Sequence, residues 1–491
     1  MLKRPTLLPT ICLILAASAC DSGEPDRAVK PGAGRSALEV PAPKAPFVGS
    51  AVCAECHPAI TEAFSKTPMA QAARWVTPDN IGQFVPEAWR ERPFKDPFTG
   101  ATYELESEGD HVFLVGRGPS GETSREPIDL AFGAGLIAHT FVTPKEARLL
   151  EHRVTWFVEP KALGITPTHP NIDDLPGRLH TATTARLCLG CHGTGLEVAL
   201  DGTLDLSGYV PSLGCERCHG PGEEHVASAV AGDPTRMRAW NDATGPEEIE
   251  RCGECHRTIE TVDFSEILGE SSRIVRHAAV GTALAKCARS DERFGCTLCH
   301  DPHSPLVHDP AYYTERCLGC HDGLEGEGHA PSCGAGEEAR CSTCHMPKVE
   351  VPEMGFDGAS YPFADHWIRL DRGDLPRSPV EFREKAERWS ELVDALVERY
   401  EEHSRKDERD LLNWNNLGLA HQARQEWEKA ELAFRKATVL SPRFAQAWGN
   451  LGALYEETGR PEDAIAAYRQ VVAIDPSDRM TAARLRRLLS K

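Results

Sequence analysis

The pattern C-x-x-C-H constrains this chain more than any other feature, because it occurs seven times in 491 residues. The composition would give on the order of 0.03 such matches by chance. In this pattern two cysteines can bond a porphyrin covalently while the following histidine ligates its iron. The seven sites are Cys53/Cys56/His57, Cys188/Cys191/His192, Cys215/Cys218/His219, Cys252/Cys255/His256, Cys296/Cys299/His300, Cys317/Cys320/His321 and Cys341/Cys344/His345.

Zinc is the alternative ligand for closely spaced cysteines and histidines. Structural zinc sites use C-x-x-C pairs, but they do not require a histidine directly after the second cysteine. Here every C-x-x-C pair is followed by histidine. The sequence therefore predicts seven covalently attached haem c groups. The motif cysteines are the attachment sites, and the seven motif histidines are the proximal iron ligands.

The N-terminus is typical of an exported protein. A basic start and a short apolar stretch at residues 7–17 match a secretory signal peptide over residues 1–19. Residues 17–19 (Ala-Ser-Ala) fit ordinary cleavage, and with Cys20 they also resemble a bacterial lipid-attachment signal. Two outcomes stay open: a soluble periplasmic protein, or a lipoprotein held at the exported side of a membrane by Cys20. Residues 20–46, rich in Pro, Ala and Gly, then form a flexible tether.

The chain is strongly acidic, with a formal net charge of −20. This charge argues against nucleic acid as a partner, and it would steer a basic redox partner protein toward the chain. The same acidity can equally serve only to keep an exported protein soluble. No segment after the signal peptide is apolar enough in sequence to span a membrane.

The sixth coordination position of each iron decides between two kinds of protein. A haem with two histidine ligands is closed and suits electron transfer, whereas an open haem can bind a substrate. Eleven further histidines lie within residues 47–372, so the composition permits seven closed haems without requiring them. The favoured distal ligands are His180, His225, His303 and His366, and Met69 is a candidate at the first haem.

Chain position supports these candidates. His225 follows the third motif after a Gly-Pro-Gly turn, which can direct the chain toward a neighbouring haem. His303 lies three residues after the fifth proximal histidine, so it points away from that iron and can serve an adjacent one. His180 lies about two helical turns before the second motif. His366 lies beyond the last motif and can return to an earlier haem.

Two cysteines of the predicted haem region belong to no motif. Cys287 and Cys333 are expected to form a disulfide, because an exported protein meets an oxidising compartment. Ligation of a haem by one of the two thiolates is the alternative, as are free or otherwise paired thiols.

The C-terminal part changes to a composition rich in Glu, Arg, Ala and Leu with helical periodicity. Six positions recur at a spacing of 34, which predicts tetratricopeptide repeats at about 411–444 and 445–478. Helices at about 379–403 and 477–490 are expected to flank them, since two repeats alone are marginally stable. The recurring pairs are Trp414/Trp448, Leu417/Leu451, Gly418/Gly452, Ala430/Ala464, Phe434/Tyr468 and Pro442/Pro476.

These features predict a mainly α chain. Residues 47–372 form a heptahaem cytochrome domain with little regular structure, because porphyrin plates fill a core in which aromatic residues make up only 7% of the sequence. A small β-rich insert is expected at about 98–160, where YELESEGDHVFLV alternates in polarity around a turn at residues 108–110. His111, His139 and His152 fall in this insert. Residues 379–491 form the repeat domain.

The segments FVGSAVCAECHPAITEAF, CERCHGPGEEH, CHDPHS, CSTCHMPKVE and DHWIRL resemble the multihaem cytochromes grouped with hydroxylamine oxidoreductase and the tetrahaem nitrification cytochrome. More closely, the chain is similar to bacterial multihaem proteins with a tetratricopeptide tail. The resemblance implies stacked haems, and in some relatives reactions on small nitrogen or sulfur compounds. This chain lacks a C-x-x-C-K site and a matched tyrosine for a haem cross-link, so the catalytic features of two relatives are missing.

Two functions follow from these observations. In the first, an exported cytochrome transfers electrons through seven haems while its repeats dock a partner peptide or protein. In the second, one open haem acts on a small nitrogen or sulfur compound, such as nitrite, hydroxylamine or a sulfur oxyanion, and the other haems supply electrons. The repeats have an alternative role as well, which is to pack on the haem domain or to dimerise it.

Overall fold

The structure is a computed structural model, and it describes most of the chain from residue 46 onward. Cys20, Cys333 and the signal peptide lie outside the described residues, so the predictions about them stay predictions. The described residues are 46–167, 169, 174–198, 203–232, 235, 237–238, 240, 242–268, 272–321, 341–351, 361–368, 386–476 and 478–490.

Two compact units divide the chain. The motif unit contains Asp26–His256 and Ala278–Leu370, and the repeat unit contains Arg257–His277 and Asp371–Lys491. All seven C-x-x-C-H motifs belong to the motif unit. The residues 257–277, which the sequence analysis placed within 47–372, belong to the repeat unit.

Helices in the described residues are short in the motif unit and long in the repeats. Single turns of 3-10 helix lie at Met69–Gln71, Ile81–Gln83, Ile259–Thr261, Ser272–Arg276 and Cys296–Leu298. The α-helices are α1 Ser50–Cys56, α2 Pro58–Ser65, α3 Glu87–Arg90, α4 Ala182–Cys191, α5 Cys215–His219, α6 Glu223–Val230, α7 Gly245–His256, α8 Phe264–Leu268, α9 Ala278–Leu284, α10 Lys286–Ser290, α11 Pro310–His321, α12 Cys341–His345, α13 Ala386–Lys406, α14 Leu411–Ala423, α15 Trp427–Leu440, α16 Ala445–Glu457, α17 Pro461–Ile474 and α18 Arg479–Leu489.

The strands of the described residues lie in the motif unit and pair antiparallel. The larger sheet has the order β1-β6-β7-β8-β10, with β9 also on β8, and a second sheet has the order β2-β3-β4-β5. The strands are β1 Ala73–Trp75, β2 Phe94–Lys95, β3 Thr102–Glu108, β4 His111–Arg117, β5 Thr123–Ile128, β6 Leu130–Phe132, β7 Ala138–Lys145, β8 Arg148–Phe157, β9 Ala162–Ile165, β10 Gly177–His180, β11 Gly193–Thr194, β12 Glu197–Val198, β13 Leu204–Asp205, β14 Val210–Pro211, β15 Lys348–Val351 and β16 Tyr361–Ala364.

The predicted strand pair with its turn is present. Glu108 at the end of β3 pairs with His111 at the start of β4. Gly109 between them has φ 59°, in the left-handed region that favours glycine in tight turns. Val112 and Leu114, at alternate positions of β4, are buried in a hydrophobic core.

The prediction of a mainly α chain is only partly correct. The repeat region is helical as expected, but the motif unit contains substantial β-sheet. The strands of its two larger sheets run from β1 to β10 and therefore extend beyond the insert expected at about 98–160. β1 and β10 are short edge strands, which carry too little alternation to be recognised and are recruited by pairing with β6 and β8.

The repeat unit has the expected helical pairs. Helices α14 and α15 form the first repeat, α16 and α17 form the second, and α13 and α18 flank them. Gly418 faces Phe434, and a Cβ there would lie 2.5 Å from the phenyl ring. Gly452 meets Tyr468 at the same distance, so small residues let each helix pair approach closely.

Candidate haem sites and repeat groove

Six of the seven motifs lie on an α-helix that ends at the histidine or directly before it. A spacing of three residues favours two side chains on the same side of a helix, which suits a pair of thiols that bond one porphyrin. In α5, α7, α11 and α12 the proximal histidine is the last helical residue. In α1 and α4 it is the next residue, and in the fifth motif it follows a 3-10 turn.

The predicted attachment cysteines differ in exposure. Cys56 and Cys320 are exposed, whereas the other motif cysteines whose side chains the structure describes are half-buried. Cys320 lies in the last turn of α11. Burial raises the pKa of the nearby Cys287 thiol, and Cys320 adds to the effect. Haem attachment at Cys320 stays a prediction.

The second cysteine of the seventh motif cannot be compared in this way. Cys344 belongs to α12, but its side chain lies outside the described residues. Cys341 and His345 of the same motif are described, and both are half-buried. The sequence assigned Cys344 to haem attachment together with Cys341, and this assignment also stays a prediction.

Three pairs of histidine rings have centroids 6.0–6.5 Å apart; two pairs are nearly parallel, and His300 and His366 are tilted by 39°. The ring centroids are 6.5 Å apart for His57 and His225, with 21° between the planes. Metal–imidazole bonds are about 2 Å long, so two imidazoles on opposite sides of one ion have centres about 6 Å apart. The distance between the two rings therefore fits a metal ion that both histidines would ligate. The other pairs are His219/His303 at 6.0 Å and His300/His366 at 6.2 Å.

Hydrogen bonds orient several of these rings. The Nδ1 atoms of His192, His219, His225 and His366 lie 3.0, 3.3, 2.7 and 3.0 Å from backbone carbonyl oxygens. Because a carbonyl only accepts, Nδ1–H donates in each case. The Nε2 lone pair of a neutral imidazole is then available to a metal.

Burial keeps several of these imidazoles neutral. It lowers the pKa of His192, His256, His300 and His366 below the ordinary value. Metal ligation requires the neutral ring, so a low pKa suits this role. The ring of His192 also stacks on Phe132, with centroids 4.2 Å apart and 8° between the planes.

The remaining distal candidates have other contacts. His180 ends β10, and its Nε2 lies 3.0 Å from a carboxylate oxygen of Glu151. Met69 lies in a 3-10 turn, where its carbonyl accepts from the backbone N–H of Leu213 at 3.2 Å. The partner that the structure brings to the His57 ring is His225. Cys287 is described but Cys333 is not, so the predicted disulfide stays a prediction.

The first four motifs are linked by contacts between their residues. The Cys215 thiol hydrogen-bonds to Cys53, which raises the pKa of Cys53 and links the third motif to the first. Arg217 of the third motif reaches Cys255 of the fourth, with Nη2 and Sγ 3.8 Å apart. Cys191 of the second motif lies 3.5 Å from the carbonyl of Glu254, also in the fourth.

Further contacts link the fourth motif to the fifth, sixth and seventh. Thr297 of the fifth motif donates its backbone N–H and hydroxyl to Glu248 of α7, at 3.0 and 2.6 Å. Burial, followed by the nearby Cys341 and Cys299 thiols, raises the pKa of Cys317 to about 11. The sixth motif is therefore next to both the fifth and the seventh, and the seven motifs form one connected series.

The β-sheet histidines serve the fold. His152 of β8 is fully buried, and its Nε2 lies 2.9 Å from the Thr143 hydroxyl and 3.1 Å from the Pro127 carbonyl. Burial lowers its pKa to about 3. His139 is also buried, and its ring packs edge-on against Phe84. The sequence alone leaves the roles of both histidines open.

The repeat unit contains a feature that the sequence did not reveal. Residues 258–268, called the internal segment, lie against α13, α14 and α16. The amide of Asn416 donates to the Val262 carbonyl at 2.8 Å and accepts from the Phe264 N–H at 3.1 Å. We call the surface formed by Arg399, Tyr400, Asn416 and Gln446 the repeat groove.

Two family models match parts of the chain. Residues 170–220 match the family described as cytochrome c554 and c-prime, and this stretch contains the whole second and third motifs. Residues 415–479 match a tetratricopeptide repeat family. These matches support haem c as the cofactor of a multihaem cytochrome-like region and identify the C-terminal helices as tetratricopeptide repeats, a kind of module that generally binds peptides or proteins. No curated protein matched this chain.

Solved structures show distant similarity. The outer cell wall cytochrome OcwA is 13% identical, with a TM-score of 0.37, and the match covers 84% of this chain and 99% of that chain. The first tetratricopeptide domain of Spaghetti (RPAP3), bound to an HSP90 peptide, is 18% identical with a TM-score of 0.20 and coverage of 22% and 86%. The second domain of human RPAP3, in complex with an HSP70 peptide, is 19% identical with a TM-score of 0.20 and coverage of 22% and 91%.

Within the described ranges, no helix has both the length and the apolar character needed to cross a membrane.

Proposed function

We propose that this protein is an exported multihaem c-type cytochrome that transfers electrons through seven covalently attached haems. The observation that carries the proposal is the connected series of motifs together with the three facing histidine pairs. A chain of neighbouring attachment sites suits stepwise electron transfer. Histidine pairs suit low-spin iron, which changes oxidation state without binding a substrate.

The residues of each site have separate roles in this proposal. The motif cysteines attach the porphyrin, and the histidine that follows them ligates the iron from one side. When bound, haem c supplies iron that alternates between the ferric and ferrous states. His225, His303 and His366 close the opposite side at the sites of His57, His219 and His300. The backbone carbonyls that accept from Nδ1–H orient the ligating rings and raise their basicity.

Attachment and location are further parts of the proposal. The signal peptide directs export, Cys20 carries a lipid, and residues 21–46 tether the chain to the exported side of a bacterial membrane. The charge of −20 favours a basic redox partner protein. The repeats dock a partner peptide or protein, which would hold donor or acceptor near the haems.

The first test is low-temperature electron paramagnetic resonance of the ferric, fully haem-loaded protein. Intact mass before and after haem attachment gives the haem number, and seven is expected. Low-spin signals alone, unchanged by nitrite or cyanide, support the electron-transfer proposal. A high-spin signal from about one haem per chain would overturn the electron-transfer proposal and favour an enzyme with an open haem. Nitrite, hydroxylamine and sulfur oxyanions would then be tested as substrates.

A further inference from the structure

The internal segment is held through its backbone as well as its side chains. Asn416 of α14 uses both halves of its side-chain amide, one on the Val262 carbonyl and one on the Phe264 N–H. Asn416 is itself fully buried. A single amide that satisfies both a donor and an acceptor of one passing chain is a contact independent of the sequence of that chain.

Charged and polar side chains add specificity. Glu260 receives a hydrogen bond from Nε of Arg399 at 2.6 Å, and its side chain is only 6% exposed. Burial alone would raise the pKa of Glu260, but the charge of Arg399 and a hydrogen bond from Thr258 outweigh it and leave the pKa lowered. The amide of Gln446 on α16 donates to the Asp263 carboxylate. The groove therefore recognises two acids three residues apart.

Apolar side chains fill the space between these polar contacts. Ile259, Val262, Phe264 and Ile267 are each 2–3% exposed. The Phe264 ring meets the buried Tyr400 edge-on, with centroids 6.3 Å apart. The groove thus accepts Asp263 between two apolar residues, Val262 and Phe264, and Glu260 after an apolar one.

The groove is built from residues of three helices of the repeat unit. Arg399 and Tyr400 come from α13, Asn416 comes from the first helix of repeat one, and Gln446 comes from the first helix of repeat two. Contacts from α13, α14 and α16 to one short stretch of chain are of the kind that helical repeats make with a bound peptide. The internal segment therefore occupies the position of a ligand.

We propose that residues 258–268 are an internal ligand of the repeat groove, and that an external partner peptide of the same acidic and apolar chemistry binds when this segment leaves. This inference rests on the proposed docking role of the repeats and names the kind of partner. The internal segment starts two residues after the proximal His256 in the sequence. Docking of a partner would therefore release a stretch of chain next to the fourth haem motif.

A peptide-binding experiment tests the inference on the full, haem-loaded chain. The probe is a fluorescent peptide, TIETVDFSEIL, with the sequence of residues 258–268. The release variant is Glu260→Ala with Phe264→Ala, which weakens the internal ligand and leaves the groove residues intact. An internal ligand competes at an effective concentration on the order of millimolar, so the peptide should bind the release variant at least about ten-fold more tightly than the wild type.

Matched controls make the result specific. Glu462→Ala changes an exposed acid at the start of α17 and should leave peptide binding at the wild-type level. Adding Asn416→Asp to the release variant should abolish the gain. A peptide with lysine in place of the first glutamate should not bind. Equal affinity for the wild type and the release variant, or no binding to either, would overturn the internal-ligand inference.

A second measurement tests the inference even if the release variant does not fold. Hydrogen exchange of the wild-type chain should show protected amides in the internal segment, including that of Phe264. Asn416→Asp should raise exchange there and leave α17 unchanged. Unaltered exchange in the internal segment would overturn the inference. The haem count and the electron paramagnetic resonance spectrum do not depend on the outcome of either test. Failure of the internal-ligand inference can therefore be distinguished from failure of the electron-transfer proposal.

Discussion

The imidazole of His225 faces that of His57 with 6.5 Å between ring centres, although two haem motifs separate the histidines in the sequence. Helix α6 carries His225, and its Nδ1–H donates to the Thr235 carbonyl at 2.7 Å. This bond orients the ring and leaves the Nε2 lone pair available to a metal. One iron between the two rings would be closed to other ligands.

Replacing His225 should open one haem. In His225→Ala we expect a new high-spin ferric signal of about one haem per chain and binding of carbon monoxide to the reduced protein, because the sixth position becomes vacant. Resonance and optical spectra measure both. His111→Ala, in a strand of the second sheet, is the control and should keep the wild-type spectrum. A variant spectrum without high-spin iron would mean that His225 is not the ligand.

Breaking the buried ion pair of the motif unit should be costly. Arg153 and Asp96 are both fully buried, with Nε and Oδ2 2.6 Å apart. Arg153→Met leaves the Asp96 carboxylate without its charged partner, and we expect a loss of about 3–5 kcal/mol in the free energy of unfolding. Denaturant unfolding followed through β-sheet circular dichroism measures the change.

An ion pair at the surface provides the comparison for the buried Arg153–Asp96 pair. Arg125 lies 3.2 Å from Glu106 with 40% of its side chain exposed. We expect Arg125→Met to cost at most about 1 kcal/mol, because water screens an exposed pair. Similar losses for the two variants would contradict the role given to burial.

The buried His152 should make stability depend on pH. Burial, with a smaller contribution from Lys145, lowers the pKa of His152 to about 3. In the unfolded chain the ring takes up a proton below about pH 6.5, whereas the folded protein does not until about pH 3. The unfolded state is therefore favoured as pH falls through this window, by about 2–3 kcal/mol between pH 7 and 4.5.

Thermal unfolding at several pH values tests this effect. His152→Gln should be less stable at pH 7 but should lose less further stability on acidification than the wild type. His111→Gln should keep the wild-type slope. Parallel pH profiles for the wild type and His152→Gln would show that other groups cause the dependence.

Glycine positions in the repeats should differ sharply in their tolerance of alanine. A Cβ on Gly418 or Gly452 would lie 2.5 Å from an aromatic ring, whereas one on Gly449 would lie 3.9 Å from Val471. We expect Gly418→Ala and Gly452→Ala to cost about 1–3 kcal/mol. Gly449→Ala should be neutral or stabilising by up to about 1 kcal/mol, because alanine favours helix. Melting of the helical signal measures all three, and equal effects would contradict the close helix approach.

Sequence patterns predicted the elements whose conformation depends on residues close together in the chain. The 34-residue spacing indicated the repeats because each repeat contains its own helix pair, and α14 to α17 form two such pairs. The alternation around Gly109 likewise predicted β3 and β4. The edge strands β1 and β10 were missed, since their pairing partners, and not their own three or four residues, determine their conformation.

The sequence by itself determined the cofactor chemistry, because C-x-x-C-H places two thiols and an imidazole on one helical turn. It also named His225, His303 and His366, but it could not say which proximal histidine each would face. Only the tertiary structure paired them with His57, His219 and His300. Only the tertiary structure placed residues 258–268 in the repeat groove, because Asn416 and Val262 are distant in sequence and their contact has no periodic signature.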